Sequence, residues 1–137
     1  MKKEKRKFSL GLDFGTNSVR ALLVDVGNGQ EVSTAIYDYE TGQEGIILDR
    51  ANPNLARQNP AEYVKGISIV TKRILLRAKK AYKRFDPSQV IGIGIDTTGS
   101  TPLPVDEDGT PLSMHKEFKN NPNAYAWLWK DHTGHAE

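Results

Sequence analysis

The chain has no cysteine. Disulfides, thiolate metal sites and cysteine nucleophiles are therefore excluded. It also has no apolar run near the roughly 18 residues of a membrane span. Its basic start gives way to Phe8-Ser9-Leu10-Gly11-Leu12-Asp13, too short and too soon charged for a secretory signal, so a soluble, cytoplasmic protein is expected. Excess charge is scarce too: 19 Lys and Arg stand against 17 Asp and Glu. Lys2, Lys3, Lys5, Arg6 and Lys7, with Glu4 the one anion among them, more than account for the surplus. The rest leans slightly acidic, which excludes a broadly basic nucleic-acid surface. Residues 1–7 are expected to be a solvated, disordered leader. There are no internal repeats or low-complexity segments, and 137 residues suffice for one domain with a real core.

What is present begins with Phe8 to Asp25. Phe8, Leu10, Leu12 and Phe14 alternate with Ser9, Gly11 and Asp13, the period of a strand with one buried face. Asp13 ends that strand directly before the small polar turn Gly15-Thr16-Asn17-Ser18, and a second apolar strand follows through Arg20. A carboxylate beside such a turn can hold a hydrated divalent cation, while the turn's N–H groups and hydroxyls face phosphate oxygens. Arg20 can add positive charge to the same ligand. An ordinary hairpin turn would use the same letters.

Asn28-Gly29 is a preferred hairpin pair, and Val32, Thr34 and Ile36 alternate with Ser33, Ala35 and Tyr37 to give a third, antiparallel strand. Residues 41–58 read as a long connection. Asn59-Pro60-Ala61-Glu62 reads as a helix start, with a cap, a first-turn proline and a capping-box glutamate. Tyr63, Ile67, Val70, Ile74 and Ala78 then recur at helical spacing. The lysines and arginines off that stripe read as a solvated face, with nucleic-acid binding the weaker alternative. Asp86-Pro87 is expected to stop the helix. Val90 to Asp96 reads as a buried strand with Ile91, Ile93 and Ile95 on one face. Gly92 and Gly94 on the other admit a close approach to the backbone. Pro102 to Asp106 reads as extended, with a turn at Asp108-Gly109. Three strands, a helix and a fourth strand give an α/β, ribonuclease H-like domain: a mixed sheet with an antiparallel meander and a crossover helix.

If the fourth strand runs parallel to the first, Asp96-Thr97-Thr98-Gly99-Ser100-Thr101 leaves the sheet at the same end as Asp13, where ligands of parallel sheets gather. Asp96, Thr98, Gly99 and Ser100 suit a ligand with many hydroxyls; a plain Ser/Thr turn is the alternative. Further on, Trp127 and Trp129 flank Leu128 and are expected on one face of a strand. Lys130 is a candidate ligand contact, and Asp131 either a contact or a helix cap. His132 and His135 alone make a poor metal site, and His115 carries no signal.

Three segments together resemble the amino-terminal part of an FGGY-type carbohydrate kinase, and within that family the ribulokinases. They are Gly11 to Ala21, Gly92 to Pro102, and Asn121 to Ala124 with Leu128 to Thr133. The first is shared with the wider actin-like ATPase superfamily. Gly99 and Ser100 stand where glycerol kinases carry an Arg-Glu pair. Thr133 stands where many members have an arginine, so no role for that arginine is carried over.

The resemblance implies magnesium- and ATP-dependent phosphorylation of a ketopentose such as L-ribulose. Asp13 would position the metal through water, and Gly15, Thr16, Asn17, Ser18 and Arg20 would face the nucleotide's phosphates. Asp96, Thr98, Gly99, Ser100, Lys130 and Asp131 would face the sugar. It also implies that the catalytic base and the adenine site lie beyond residue 137. The chain is thus expected to be a truncated amino-terminal domain (residues 8–137), inactive alone and stopping where a helix opens. A missing carboxy-terminal domain would leave an apolar surface exposed, with homo-oligomers possible. An actin-like or chaperone-like ATPase module and a non-catalytic sugar-binding module are the alternatives.

Overall fold

A computed structural model of the chain describes residues 5–135. Residues 1–4, the greater part of the expected leader, lie outside the described residues, as do 136–137. Three strands open the fold as an antiparallel meander: β1 (Phe8–Phe14), β2 (Ser18–Asp25) and β3 (Glu31–Asp38). Two short strands follow, β4 (Ile47–Leu48) and β5 (Ala56–Gln58). Then come helix α1 (Pro60–Ala81) and strand β6 (Val90–Thr97), which pairs parallel to β1. The main sheet has the order β3-β2-β1-β6, the arrangement the order of elements implies.

The core is the sheet face under α1. Phe8, Leu10 and Leu12 pack beside Val19, Ala21 and Leu23, and the helix lays Val70, Ile74 and Ala78 onto them. Asn59 caps the helix, its side chain accepting from Ala61 N–H at 3.1 Å. Glu62 does not complete the expected capping box. Its buried carboxylate accepts from the N–H groups of Glu40 (2.5 Å) and Thr41 (3.0 Å), which fastens the first helical turn to the exit of β3. The two N–H groups leaving β3 take the carboxylate that a capping box would turn to the N-cap.

Several sequence expectations change. The buried face of β3, which the alternation alone left open, carries Ala35 and Tyr37, while Ile36 is exposed. The helix ends at Ala81 rather than at Asp86, which instead caps a 3-10 turn over Pro87–Gln89 with a reciprocal bond to Gln89. Residues 41–58 are not an open connection, because β5 is wholly buried and forms a second sheet, β4-β5-β7, with β7 (Ala126–Trp127). The second half of the leader is not free: Arg6 pairs with the buried Asp25 at 3.2 Å and lies over the Tyr82 ring. Residues 133–135 form a turn and not a helix.

The expected burial of β6 is also corrected. Ile91, Ile93 and Ile95 are 60%, 64% and 65% exposed. By register Ile93 and Ile95 stand beside Leu10 and Leu12, on the α1 side of the sheet. The helix packs mainly over β2 and β3, and beyond the partly buried Val90 it leaves the edge strand exposed. No helix among the described residues is long and apolar enough to cross a membrane.

Candidate functional site

The face of the sheet opposite α1 carries the acidic residues. Asp13 is the register partner of Arg20 on β2 and of Asp96 on β6, so the three lie in one row across the sheet. The Arg20 guanidinium stands 3.7 Å from the Asp13 carboxylate, and both side chains are partly exposed, at 61% and 45%. Gly11 and Gly94 floor an open depression of about 550 Å³ lined also by Asp13, Arg20, Leu22 and Asp96. A Cβ added at Gly94 would meet nothing within 4 Å. The glycines thus leave room over the backbone rather than admitting a protein group.

The turn after β1 is closed by Gly15 N–H donating to Ser18 C=O at 2.9 Å, and Ser18 itself is buried at the start of β2. The loop after β6 leaves alongside it, with Thr98 N–H donating to Phe14 C=O at 3.1 Å. The two segments therefore share one end of the sheet. Within that loop Thr98 and Thr101 hydroxyls lie 3.2 Å apart, and Ser100 has φ +54. A left-handed non-glycine residue costs about 1–2 kcal/mol, and such strain gathers where a loop is shaped for a ligand. A second cavity, of about 340 Å³, lies between the segments, lined by Gly15, Gln58, Tyr63, Thr97, Thr98 and Thr101.

Lys130 and Asp131 lie in the segment after β7, and Asp131 is tied to β5 rather than to this row. The Asp131 side chain is buried, and its carboxylate pairs with Arg57 while accepting from Ala56 N–H (2.7 Å) and from the Thr133 hydroxyl (2.6 Å) and N–H. Its oxygens are engaged by protein groups. Arg57 is itself fully buried beneath the Trp127 ring, 3.8 Å from its centroid, and burial pulls its guanidinium below the ordinary value. Trp127 and Trp129 do not share a strand, which ends at Trp127.

Two residues reach the hairpin from elsewhere in the fold: Gln58, which the sequence did not single out, and Trp129, which was expected only as a strand residue. Gln58 donates from Nε2 to Thr16 C=O at 2.6 Å and accepts at Oε1 from the Tyr63 hydroxyl at 2.7 Å. Burial pushes the Tyr63 phenol up to about 12, so its proton stays on at neutral pH. The indole of Trp129 donates to the Thr16 hydroxyl at 3.1 Å. The only local signal for Gln58 was its place next to the helix cap.

Residues 8–127 match the N-terminal domain of the FGGY family of carbohydrate kinases. The chain belongs to this family. Ribulokinase of Vibrio parahaemolyticus is 41% identical to this FGGY domain over 128 residues, covering 93% of the chain and 22% of the relative's length. Ribulokinase of Halalkalibacterium halodurans is 37% identical over 130 residues, with shares of 92% and 22%. Among solved structures, a xylulose kinase from Rhodospirillum rubrum superposes with a TM-score of 0.65 at 20% identity, over 91% of this chain and 21% of that one. A Plasmodium falciparum glycerol kinase with ADP gives 0.70 at 15% identity, over 96% and 22%. These two show the fold. The FGGY domain spans about 22% of the length of the ribulokinases it matches.

The donor set suits one kind of metal. No cluster of three or more ligating side chains occurs among the described residues, so a protein cage is absent there. Magnesium is commonly held by one or two carboxylates, with water and substrate phosphates completing the shell. Asp13, part-exposed with Asp96 on the next strand, fits that mode.

Proposed function

We propose that this FGGY domain forms part of an ATP-dependent kinase that phosphorylates a primary hydroxyl of a ketopentose, with L-ribulose the leading substrate. One observation carries the reading: the Asp13 hairpin and the hydroxyl-rich loop after Asp96 lie side by side on paired parallel strands. The relatives at 41% and 37% identity, both ribulokinases, favour ribulose among the sugars.

In this reading Asp13 would hold a hydrated magnesium ion, with Gly15, Thr16, Asn17, Ser18 and Arg20 facing the nucleotide's phosphates. Asp96, Thr98, Gly99 and Ser100 would face the sugar, joined by Lys130. Asp131 would act by holding Arg57 and the segment around it. The metal, when bound, neutralises charge on the transferring phosphoryl group; the protein's share is position and electrostatics. No residue here is assigned as the base that takes the sugar's proton. We assign that step, and most adenine contacts, to protein outside these 137 residues, which alone would not turn over.

The test is a coupled ADP-release assay on a protein that carries this domain at the length of its relatives, across ketopentoses and pentitols with magnesium. ADP release stimulated most by L-ribulose is expected. Release that no pentulose stimulates would refute the reading. Turnover by the 137-residue chain alone would refute the assignment of the base elsewhere.

A further inference from the structure

Thr16 is held from two sides by groups in other parts of the fold. Gln58 grips its carbonyl and Trp129 its hydroxyl. The chemistry of the second contact is one-directional. An indole N–H only donates, whereas a threonine hydroxyl has one hydrogen and two lone pairs. With Trp129 donating, the Thr16 oxygen must accept, and its own hydrogen is left free to point elsewhere. The first contact is directional as well. A carbonyl can only accept, so Gln58 must present its amide nitrogen to Thr16, and its oxygen is then turned to the Tyr63 hydroxyl. Gln58 is almost fully buried, so this orientation has little freedom.

We propose that Trp129 and Gln58 are positioning residues for Thr16: Gln58 fixes the turn's backbone, and Trp129 orients the Thr16 hydroxyl so that its hydrogen is presented to a nucleotide phosphate oxygen. The inference rests on the kinase reading above, in that Thr16 faces phosphate. It adds a link between the segment after β7 and the phosphate turn, across 113 residues of sequence. The Arg57–Asp131 pair anchors that same segment to β5, the strand that also carries Gln58.

Trp129 is 55% exposed, so Trp129→Phe removes the N–H donor, keeps an aromatic ring of smaller size at the position, and opens no cavity in the core. Two measurements are needed. In the 137-residue chain, the Trp129 indole N–H resonance is expected to move on Thr16→Val; a resonance that stays put overturns the contact. In a protein of the relatives' length, Trp129→Phe is expected to raise KM for MgATP about ten-fold, the effect of one hydrogen bond on an equilibrium. Gln58→Leu should act in the same direction. In a Thr16→Val background Trp129→Phe should have no further effect on that KM, because the hydroxyl it orients is gone. A merely structural tryptophan would instead lower Tm and give additive losses. An unchanged KM for MgATP in an active enzyme overturns the positioning role while the kinase reading stands. If the unaltered protein releases no ADP with any sugar, the kinase reading falls and takes this proposal with it.

Discussion

Asp13 and Asp96 are register partners on neighbouring parallel strands, on the sheet face that α1 leaves bare. Two carboxylates side by side repel in water, and Arg20, 3.7 Å from Asp13, offsets part of that. Both members of that ion pair are well exposed, so it contributes little to folding. Asp13→Asn is therefore expected to shift stability by less than about 0.5 kcal/mol. In a protein of the relatives' length it should lower kcat at least about a hundred-fold if Asp13 positions the metal. Thermal melts and ADP release, measured on the same preparation, separate the two effects. A large fall in Tm with kcat retained would make Asp13 a structural residue.

The Arg57–Asp131 pair is the opposite case. Both side chains are buried, 1% and 4% exposed. Removing one charge strands the other away from water, which costs about 3–5 kcal/mol. Asp131→Asn is expected to destabilise the chain by that order in urea unfolding. The exposed Lys65–Glu40 pair, 2.6 Å apart, should leave the urea midpoint nearly unchanged on Lys65→Ala, because solvent screens both charges. A fully stable Asp131→Asn that had lost only sugar affinity would return Asp131 to the list of direct sugar contacts.

Much of the main sheet was legible because one local pattern decides it. Alternation at Phe8, Leu10 and Leu12 fixes which face is buried, and Asn59-Pro60 fixes where α1 starts. The acidic row followed from strand direction alone. What stayed hidden depends on partners far away in sequence. Arg57 and Gln58 look like loop residues, yet both are buried because Asp131 and Thr16 meet them there. Ala56 N–H finds its acceptor 75 residues on. The alternating isoleucines of β6 read as buried, but their exposure is set by how far α1 reaches across the sheet. No periodicity within Val90 to Thr97 encodes that.

Gly66 allows α1 to sit close to the sheet. A Cβ added there would lie 2.5 Å from Val19 Cγ1 and 2.8 Å from Tyr37 Cδ1. Alanine is the better helix former by about 1 kcal/mol, so propensity alone forecasts a gain. Overpacking against buried side chains costs about 1–3 kcal/mol, and Val19 is wholly buried. The second effect should win. Gly66→Ala is expected to lower stability by up to about 2 kcal/mol in denaturant melts, whereas a net stabilisation would mean that α1 lifts off the sheet without cost.

Acid should open the turn at residues 105–111 before it unfolds the domain. The Asp106 carboxylate accepts from the N–H groups of Thr110 (2.8 Å) and Asp108 (3.0 Å), and lies 2.7 Å from His115 Nε2. The Thr110 bond foremost, then the His115 and Asp108 bonds, hold its carboxyl below the ordinary 3.8. A carboxyl whose pKa is lower folded than unfolded binds its proton better in the open turn. Its contribution is therefore complete above pH 3.8 and fades as pH falls through the lowered value. The turn is tied by the Val105–Pro111 bridge and lies outside the main sheet, so the loss should be local. Amide exchange at Thr110 and Asp108, corrected for the intrinsic rate, is expected to lose protection below that pH while β1 and β2 amides keep theirs. Asp106→Asn should remove the pH dependence. Protection at Thr110 that persists unchanged through the acid range would show that the carboxylate does not hold the turn.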